Sequence, residues 1–348
     1  LDEPHLPVPA STAFGVWITV RTTDEAGPGL YEGFLEAESG GHAQTIPFRV
    51  RVEPVKLPDF GPTAFYSFAN PAWWFTRGTP EYDRAVRELA RNEAEHGVQW
   101  VSAANVEWDY TVREGASGEA PGVVVNTRPW EKHFTRFEQE YAAMGLPHPK
   151  FIGGIGASKA ARPLAESFSS YLEKTGRAER FLLRVGDEPH DFGKWTEWAR
   201  PYHEGGLRTT TCGGPPAQAH LAVGVMDPWC PNYAHNVLDP FYRERQEAGE
   251  DVWWYICVTP STRLTGRPVD NLPFYWLTAK WNFDGAMSYA AHSPSPSSPE
   301  SSPVPFRYEH GLNHRIMYRR DGTLLDTYRR ELENDGIRDN MLIEKIRR

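Results

Sequence analysis

Hydrophobic and polar positions alternate in two ways along the 348-residue chain, and the change falls near residue 57. Before it the period is two. Ile46, Phe48, Val50 and Val52 interleave with Thr45, Pro47, Arg49 and Arg51, as in a strand with one buried face. Gly15–Val20 and Leu30–Ala37 read as further strands, the second announced by a Pro28-Gly29 turn. About four strands in this length predict part of a small β-sandwich, which must lean on something to bury its apolar face. Leu57-Pro58-Asp59 marks the expected boundary, with residues 1–57 in the sandwich segment and 60–348 in a second domain.

From residue 60 the pattern becomes strand, loop, helix. Strands are predicted at Thr63–Phe68, Val98–Ala103, Lys150–Ile152, Phe181–Val185, Leu207–Thr211, Ala219–Val225, Val252–Val258 and Gly285–Tyr289. Between them, helical faces emerge at period 3.6. Tyr82, Ala85, Val86, Leu89 and Ala90 form one, stopped by Gly97; Trp130, Phe134, Phe137 and Tyr141 form another, stopped by Gly145. Further helices are expected around Leu164–Leu172, Trp195–Tyr202, Tyr233–Ala248 and Leu272–Trp281, with a long polar loop over 105–127. Eight strands alternating with helices predict an α/β fold, a (β/α)8 barrel. The crossover between strands five and six is too short for a full helix. Residues 293–305 read as a Pro/Ser-rich loop, and Leu324–Arg348 as a charged helix covering the barrel exterior.

Composition narrows the chemistry. Net charge is −9 and no Lys/Arg run exceeds a pair, which argues against nucleic acid or an anionic membrane as partner. No apolar run approaches the roughly 18 residues of a membrane span. The start, LDEPHLPVPA, shows no signal-peptide pattern, so compartment is not readable. Cys212, Cys230 and Cys257 are odd in number and widely spaced, so buried free thiols are expected rather than a disulfide framework. The twelve His include no HxH pair, and neither metal nor cofactor is expected. Gly153-Gly154-Ile155-Gly156 fails the dinucleotide spacing because Lys159 stands where the last glycine belongs. With 13 Trp, 15 Tyr and 17 Phe the chain is rich in aromatics. That suits either flat faces for a sugar or a large aromatic core.

The candidate site is the end of the fourth barrel strand. Gly186 closes Phe181–Val185, Asp187 and Glu188 follow, and Pro189 prevents further pairing. Two carboxylates then stand at the C-terminal mouth of a parallel barrel, where active sites of this architecture sit. Successive strand residues point to opposite faces, so the pair shares a pocket only if regular strand geometry has ended. Asp227 and Trp229, placed after the sixth strand, are expected at the same mouth, as is Tyr255 on the seventh. Alternation sends Trp253 and Tyr255 to one face and Trp254 to the other. Asn70 and Trp73 after strand one, and Asn105 after strand two, complete a rim of polar groups and Trp that fits a sugar pocket.

In their order and spacing these segments resemble glycoside hydrolase family 123 and its wider relatives, over nearly the whole chain. Phe14–Val52 is similar to that family's sandwich segment. Val185–Pro189 is similar to its Asp-Glu-Pro strand end, Val225–Pro231 to its Asp-x-Trp segment, and Val252–Tyr255 to its Trp-Tyr strand. Asp284-Gly285 with Tyr289, and Arg329, Glu331, Gly336 and Asp339, resemble its C-terminal patterns. Two departures bear on sugar specificity. Ser288-Tyr289 stands where the family has Tyr-Trp, and His292 where an Asn often follows.

The resemblance implies a retaining, substrate-assisted β-N-acetylgalactosaminidase acting on a glycan. Asp187 would hold the 2-acetamido group and Glu188 would be the acid/base, with Tyr289 and His292 among the sugar contacts. Two alternatives stand beside it. One is a glycosidase for another sugar, pairing Glu188 with a rim carboxylate such as Asp227. The other is a non-catalytic glycan-binding barrel. Adjacent carboxylates resist ionising together, which favours one proton on the pair, on either member.

Overall fold

The computed structural model describes residues 18–20, 22–23, 25–113, 122–233, 237–256, 272–289 and 315–347. The chain divides into two compact units, Leu1–Leu57 and Pro58–Arg348. In the first, β1 (Gly29–Ser39) and β2 (His42–Val52) form an antiparallel hairpin in register from Gly29 opposite Val52 to Ser39 opposite His42. Its two-residue turn, Gly40-Gly41, has positive φ at both positions, the condition for a tight hairpin matched to strand twist.

The expected sandwich is not seen. Among the described residues of this unit β1 and β2 are the only strands, and Ile18–Val20 is irregular. Residues 15–17 lie outside the described set. A period-two pattern specifies a strand with two unlike faces; it does not specify a second sheet.

The second unit holds β3 (Ala64–Ser67), α1 (Pro80–Glu95), β4 (Trp100–Ser102), β5 (Tyr110–Arg113), β6 (Gly122–Val125), α2 (Arg128–Ala143), β7 (Lys150–Ile155), α3 (Ala161–Lys174) and β8 (Phe181–Val185). There follow α4 (Phe192–Glu204), β9 (Thr209–Thr210), α5 (Pro240–Glu247), β10 (Trp253–Ile256), α6 (Leu272–Trp281), β11 (Gly285–Ser288), β12 (Ile316–Tyr318), β13 (Leu324–Asp326) and α7 (Tyr328–Arg347). Seven strands form a parallel sheet in the order β10-β11-β3-β4-β7-β8-β9. Its two edges are joined through residues 226–232, by single parallel bridges from Met226 to Thr209, Trp229 to Val252 and Asn232 to Tyr255. The circuit closes as an eight-staved barrel whose sixth stave is irregular.

That stave corrects the sequence reading. Ala219–Val225 is not a strand; Pro216–Ala222 is a 3₁₀ helix. Ala219 and Ala222, three apart, are buried, while Leu221 and Val223 between and beyond them are exposed. The period is three, not two. Residues 226–232 take the stave instead, and Pro228 and Pro231 deny it a regular ladder. The helix expected over 233–248 is confined among described residues to α5, the loop over 105–127 contains the β5–β6 hairpin, and the tail begins as β13 before α7.

Alternate residues of the staves fill the barrel: Ala64, Tyr66, Trp100, Ile152, Leu182, Cys212, Cys230, Trp253, Tyr255 and Met287 form one buried cluster. At the N-terminal end Trp100 and Trp253 meet edge to face, ring centres 5.2 Å apart. Gly285 makes room for that contact, since a Cβ there would lie 2.6 Å from the Trp253 ring. Trp254 points outward, its indole N–H donating to Thr278 Oγ1 at 2.9 Å.

On the outside, α7 is locked to α1 by a buried ion network. Arg330 donates to Glu93 (2.7 Å), Glu333 (2.6 Å) and Asn92 Oδ1 (2.9 Å). Arg315 joins Glu333 to Ser288 Oγ, so the network reaches the end of β11.

Candidate active site

A cavity of about 250 Å³ lies at the C-terminal mouth of the barrel, lined by Phe68, Arg184, Asp187, Glu188, Cys212, Tyr255, Met287, Ser288 and Tyr289. Each comes from the end of a stave or the residues just after it. The carboxylates share it because strand geometry has stopped. Gly186 has φ 64° and Glu188 φ 41°, both left-handed, so the chain coils back at the mouth instead of alternating outward. For a glutamate this conformation costs about 1–2 kcal/mol, and a specific contact holds it: the Tyr255 hydroxyl donates to Glu188 Oε1.

Tyr255 is buried, which fixes the donor side of the bond. Gly213 lies directly against the pair. It has φ 74°, and a Cβ on it would stand 3.3 Å from the Tyr255 hydroxyl and 3.6 Å from Glu188 Cγ.

Asp187 has 58% of its side chain exposed and lies 3.7 Å from the Arg184 guanidinium. Arg184 rises from inside the barrel with its guanidinium carbon 5.1 Å from the centre of the Phe68 ring, a cation–π contact. Burial works against its charge, but Cys212, Tyr66 and Asp187 more than compensate, so its pKa is raised and it remains a cation. Burial also pushes the Tyr66 hydroxyl beneath it up to about 12, despite Arg184 and a hydrogen bond to Ser102. The result is a carboxylate beside a fixed positive charge and a second carboxylate held by a phenol, over a floor of Met287 and Cys212. One wall is aromatic: Phe68 and Tyr289 have ring centres 5.8 Å apart, and Trp73 packs behind both at 5.2 and 6.2 Å.

Of the residues expected here, Asp187, Glu188, Tyr255 and Tyr289 line the cavity, and Trp73 backs its wall. Asn70 caps the short helix Pro71–Trp73, its side chain accepting from Ala72 N at 3.1 Å. Asn105 belongs to a separate cavity of about 420 Å³ with Arg77, Tyr82 and Trp108, where its Nδ2 donates to the Tyr82 hydroxyl at 3.0 Å. His292 lies outside the described residues.

Asp227 and Trp229 require a correction. Because their segment begins the sixth stave, they sit at the N-terminal end of the barrel, opposite the cavity. Asp227 accepts from Asp251 N (3.1 Å) and pairs with Arg208 (3.2 Å), residues that precede β10 and β9. Trp229 is 1% exposed, packs its ring against Phe241 and donates its indole N–H to the Glu250 carboxylate. Neither can touch a ligand at the mouth.

Phe68, Arg184, Cys212, Met287 and Ser288 were not among the expected contacts. Only Arg184 carried a local signal, a lone charge within the apolar run FLLRV. The free thiols Cys212 and Cys230 are buried, and burial, with Cys212 beside it, raises the Cys230 pKa well above its ordinary value. Cys257 lies outside the described residues. Among the described residues no helix is long and apolar enough to cross a membrane.

No protein-family model and no curated protein matches the chain. Among solved structures it is similar to a GH39 enzyme from Xanthomonas axonopodis pv. citri, at 10% identity, TM-score 0.49, covering 78% of this chain and 65% of that one. A triply substituted endo-beta-1,4-glucanase from the same organism is similar at 8% identity, TM-score 0.48, covering 80% and 99%. A D-allulose 3-epimerase from Methylomonas sp. is similar at 11% identity, TM-score 0.40, covering 83% and 100%. The chain thus spans just under two thirds of the GH39 enzyme. Its assignment as a barrel rests on its own strand pairing.

Proposed function

We propose that the chain is a glycoside hydrolase that releases a terminal β-linked N-acetylhexosamine, with N-acetylgalactosamine as the expected sugar. The reaction retains configuration and uses the substrate's own acetamido group. One observation carries this reading: among the described residues Asp187 and Glu188 are the only carboxylates lining the cavity, one beside Arg184 and the other bonded by Tyr255.

The acetamido oxygen attacks the anomeric carbon as the glycosidic bond breaks. Being intramolecular, this step can gain roughly 7–11 kcal/mol in well-oriented cases, and no protein nucleophile is needed. An oxazolinium forms and its N–H becomes acidic. Asp187 beside Arg184 is the group to accept that N–H. Glu188 is the acid for the leaving oxygen. With Oε1 occupied by the Tyr255 hydroxyl, the proton it delivers sits on Oε2. Water, activated by the same carboxylate, then opens the oxazolinium with overall retention. The aromatic wall of Phe68 and Tyr289 suits the C–H face of the sugar.

The alternative that pairs Glu188 with Asp227 loses its support, since Asp227 stands at the other end of the barrel. Among the described residues, a two-carboxylate mechanism would have to use Asp187 as nucleophile.

The deciding experiment compares nitrophenyl N-acetylhexosaminides with matched 2-hydroxyl glycosides. The 2-hydroxyl compounds are expected to be almost inert. A thiazoline mimic of the oxazolinium should inhibit tightly, and D187N should lose both turnover and inhibitor affinity. Comparable cleavage of the 2-hydroxyl substrate, or a covalent sugar adduct on Asp187, would move the reading to a two-carboxylate glycosidase. Sugar binding without turnover by the wild type would leave a glycan-binding barrel.

A further inference from the structure

Outside the cavity, one cluster combines metal-ligating side chains with an unsatisfied buried atom. It lies where the end of α1 meets β13. Glu95, His96 and Asp326 offer one ligand atom each, all within 4.8 Å of one another. His96 is fully buried. Its Nδ1 lies 2.8 Å from the Asn92 carbonyl, which can only accept, so Nδ1 carries the proton. Nε2 has no hydrogen-bond partner among the described residues. Two carboxylate oxygens lie near it, Glu331 Oε1 at 3.7 Å and Asp326 Oδ2 at 3.9 Å.

A protonated Nε2 would be out of hydrogen-bonding reach of both oxygens. An unprotonated Nε2 would aim a lone pair at acceptors that also bring lone pairs. A cation between them resolves the conflict. With zinc bonds of about 2.0–2.2 Å, two ligand atoms on a tetrahedral ion stand about 3.4 Å apart, so the gap is nearly ion-sized. The surrounding groups are arranged as around a metal. Asn92 takes the His96 Nδ1–H on its carbonyl and donates its side-chain amide to Asp326 Oδ1. One residue therefore fixes the imidazole and turns the other carboxylate oxygen, Oδ2, towards Nε2. Such outer partners are what orient ligands in metal sites. Asn92 is itself held by Arg330.

We infer that Glu95, His96 and Asp326 form a site for a divalent transition cation, zinc by its mixed imidazole and carboxylate donors. The ion clips the C-terminal segment to α1. It is remote from the cavity and takes no part in glycoside cleavage.

The test uses the full chain, stripped with a chelator, loaded with zinc and passed through gel filtration. Elemental analysis is expected to find about one zinc per chain, and zinc should raise the melting temperature of the stripped protein. H96Q and D326N should weaken zinc binding by more than about tenfold, the scale on which even outer-shell changes act. E95Q, at a half-buried position, gives the same readout should either of the other variants fail to fold. A wild type that retains no zinc and is not stabilised by it overturns the proposal. So does equal retention by the folded variants, which would place the ion elsewhere.

Discussion

Replacing Tyr255 with Phe removes one oxygen and tests whether Glu188 must be held. The ring stays where Gly213 leaves room for it, so packing is conserved. What is lost is a buried hydroxyl donating to a carboxylate, a class of hydrogen bond that contributes about 1.5–3 kcal/mol. The same bond offsets the left-handed strain at Glu188, φ 41°. Without it the backbone is free to relax by about 1–2 kcal/mol, carrying the carboxyl away from the leaving oxygen. If the loss falls on the transition state, kcat/KM drops by about 10- to 150-fold at 1.36 kcal/mol per decade. The assay is kcat/KM on an N-acetylhexosaminide with a poor leaving group, where protonation matters, beside a nitrophenyl glycoside, where it matters less. A melting curve checks that the fold is intact. A folded Y255F protein within twofold of wild type on the poor leaving group would refute the role assigned to this bond.

Other outcomes follow from the same geometry. E188Q should be severely slowed on poor leaving groups and less so on nitrophenyl substrates in the first step; equal losses would count against Glu188 as the acid. D227A should keep wild-type kcat/KM but lose about 1 kcal/mol of stability in denaturant titration, since its contacts to Arg208 and Asp251 N are half exposed. R330M should destabilise by about 3–5 kcal/mol, because Glu93 and Glu333 remain buried without their shared cation. Acid should also weaken the fold through His133. Burial, opposed by its hydrogen bond to the Ser102 carbonyl, pushes its pKa from 6.5 down to about 3. The unfolded chain takes up this proton first. Stability is therefore complete above pH 6.5 and falls towards pH 3 by up to about 1.4 kcal/mol per unit. H133Q should flatten that part of the pH–melting profile, and an unchanged slope would remove His133 from the account.

The legible features were those encoded locally. Phe181–Val185 is apolar and bounded by Gly186, so the strand and the carboxylates at its mouth could be read directly. So could the placing of Trp253 and Tyr255 on one face and Trp254 on the other, which follows from alternation; which face is inward did not. The sixth stave failed because Ala219–Val225 has the hydrophobicity of a strand but the burial period of a 3₁₀ helix, and the error carried Asp227 and Trp229 to the wrong end. The contacts of Arg184 and the bond from Tyr255 to Glu188 join distant staves. No local spacing encodes them, just as none pairs His96 with Asp326.

The edge-to-face meeting of Trp100 and Trp253 has a kinetic consequence. With those rings plugging the barrel at its N-terminal end, the described residues leave the cavity open only at the mouth. On the proposed mechanism the departing aglycone must clear that opening before water can reach the oxazolinium, so the freed sugar, seated deepest, leaves last. Release is thereby ordered. The monosaccharide should compete with substrate for the empty enzyme, whereas the aglycone should act on a form still holding sugar.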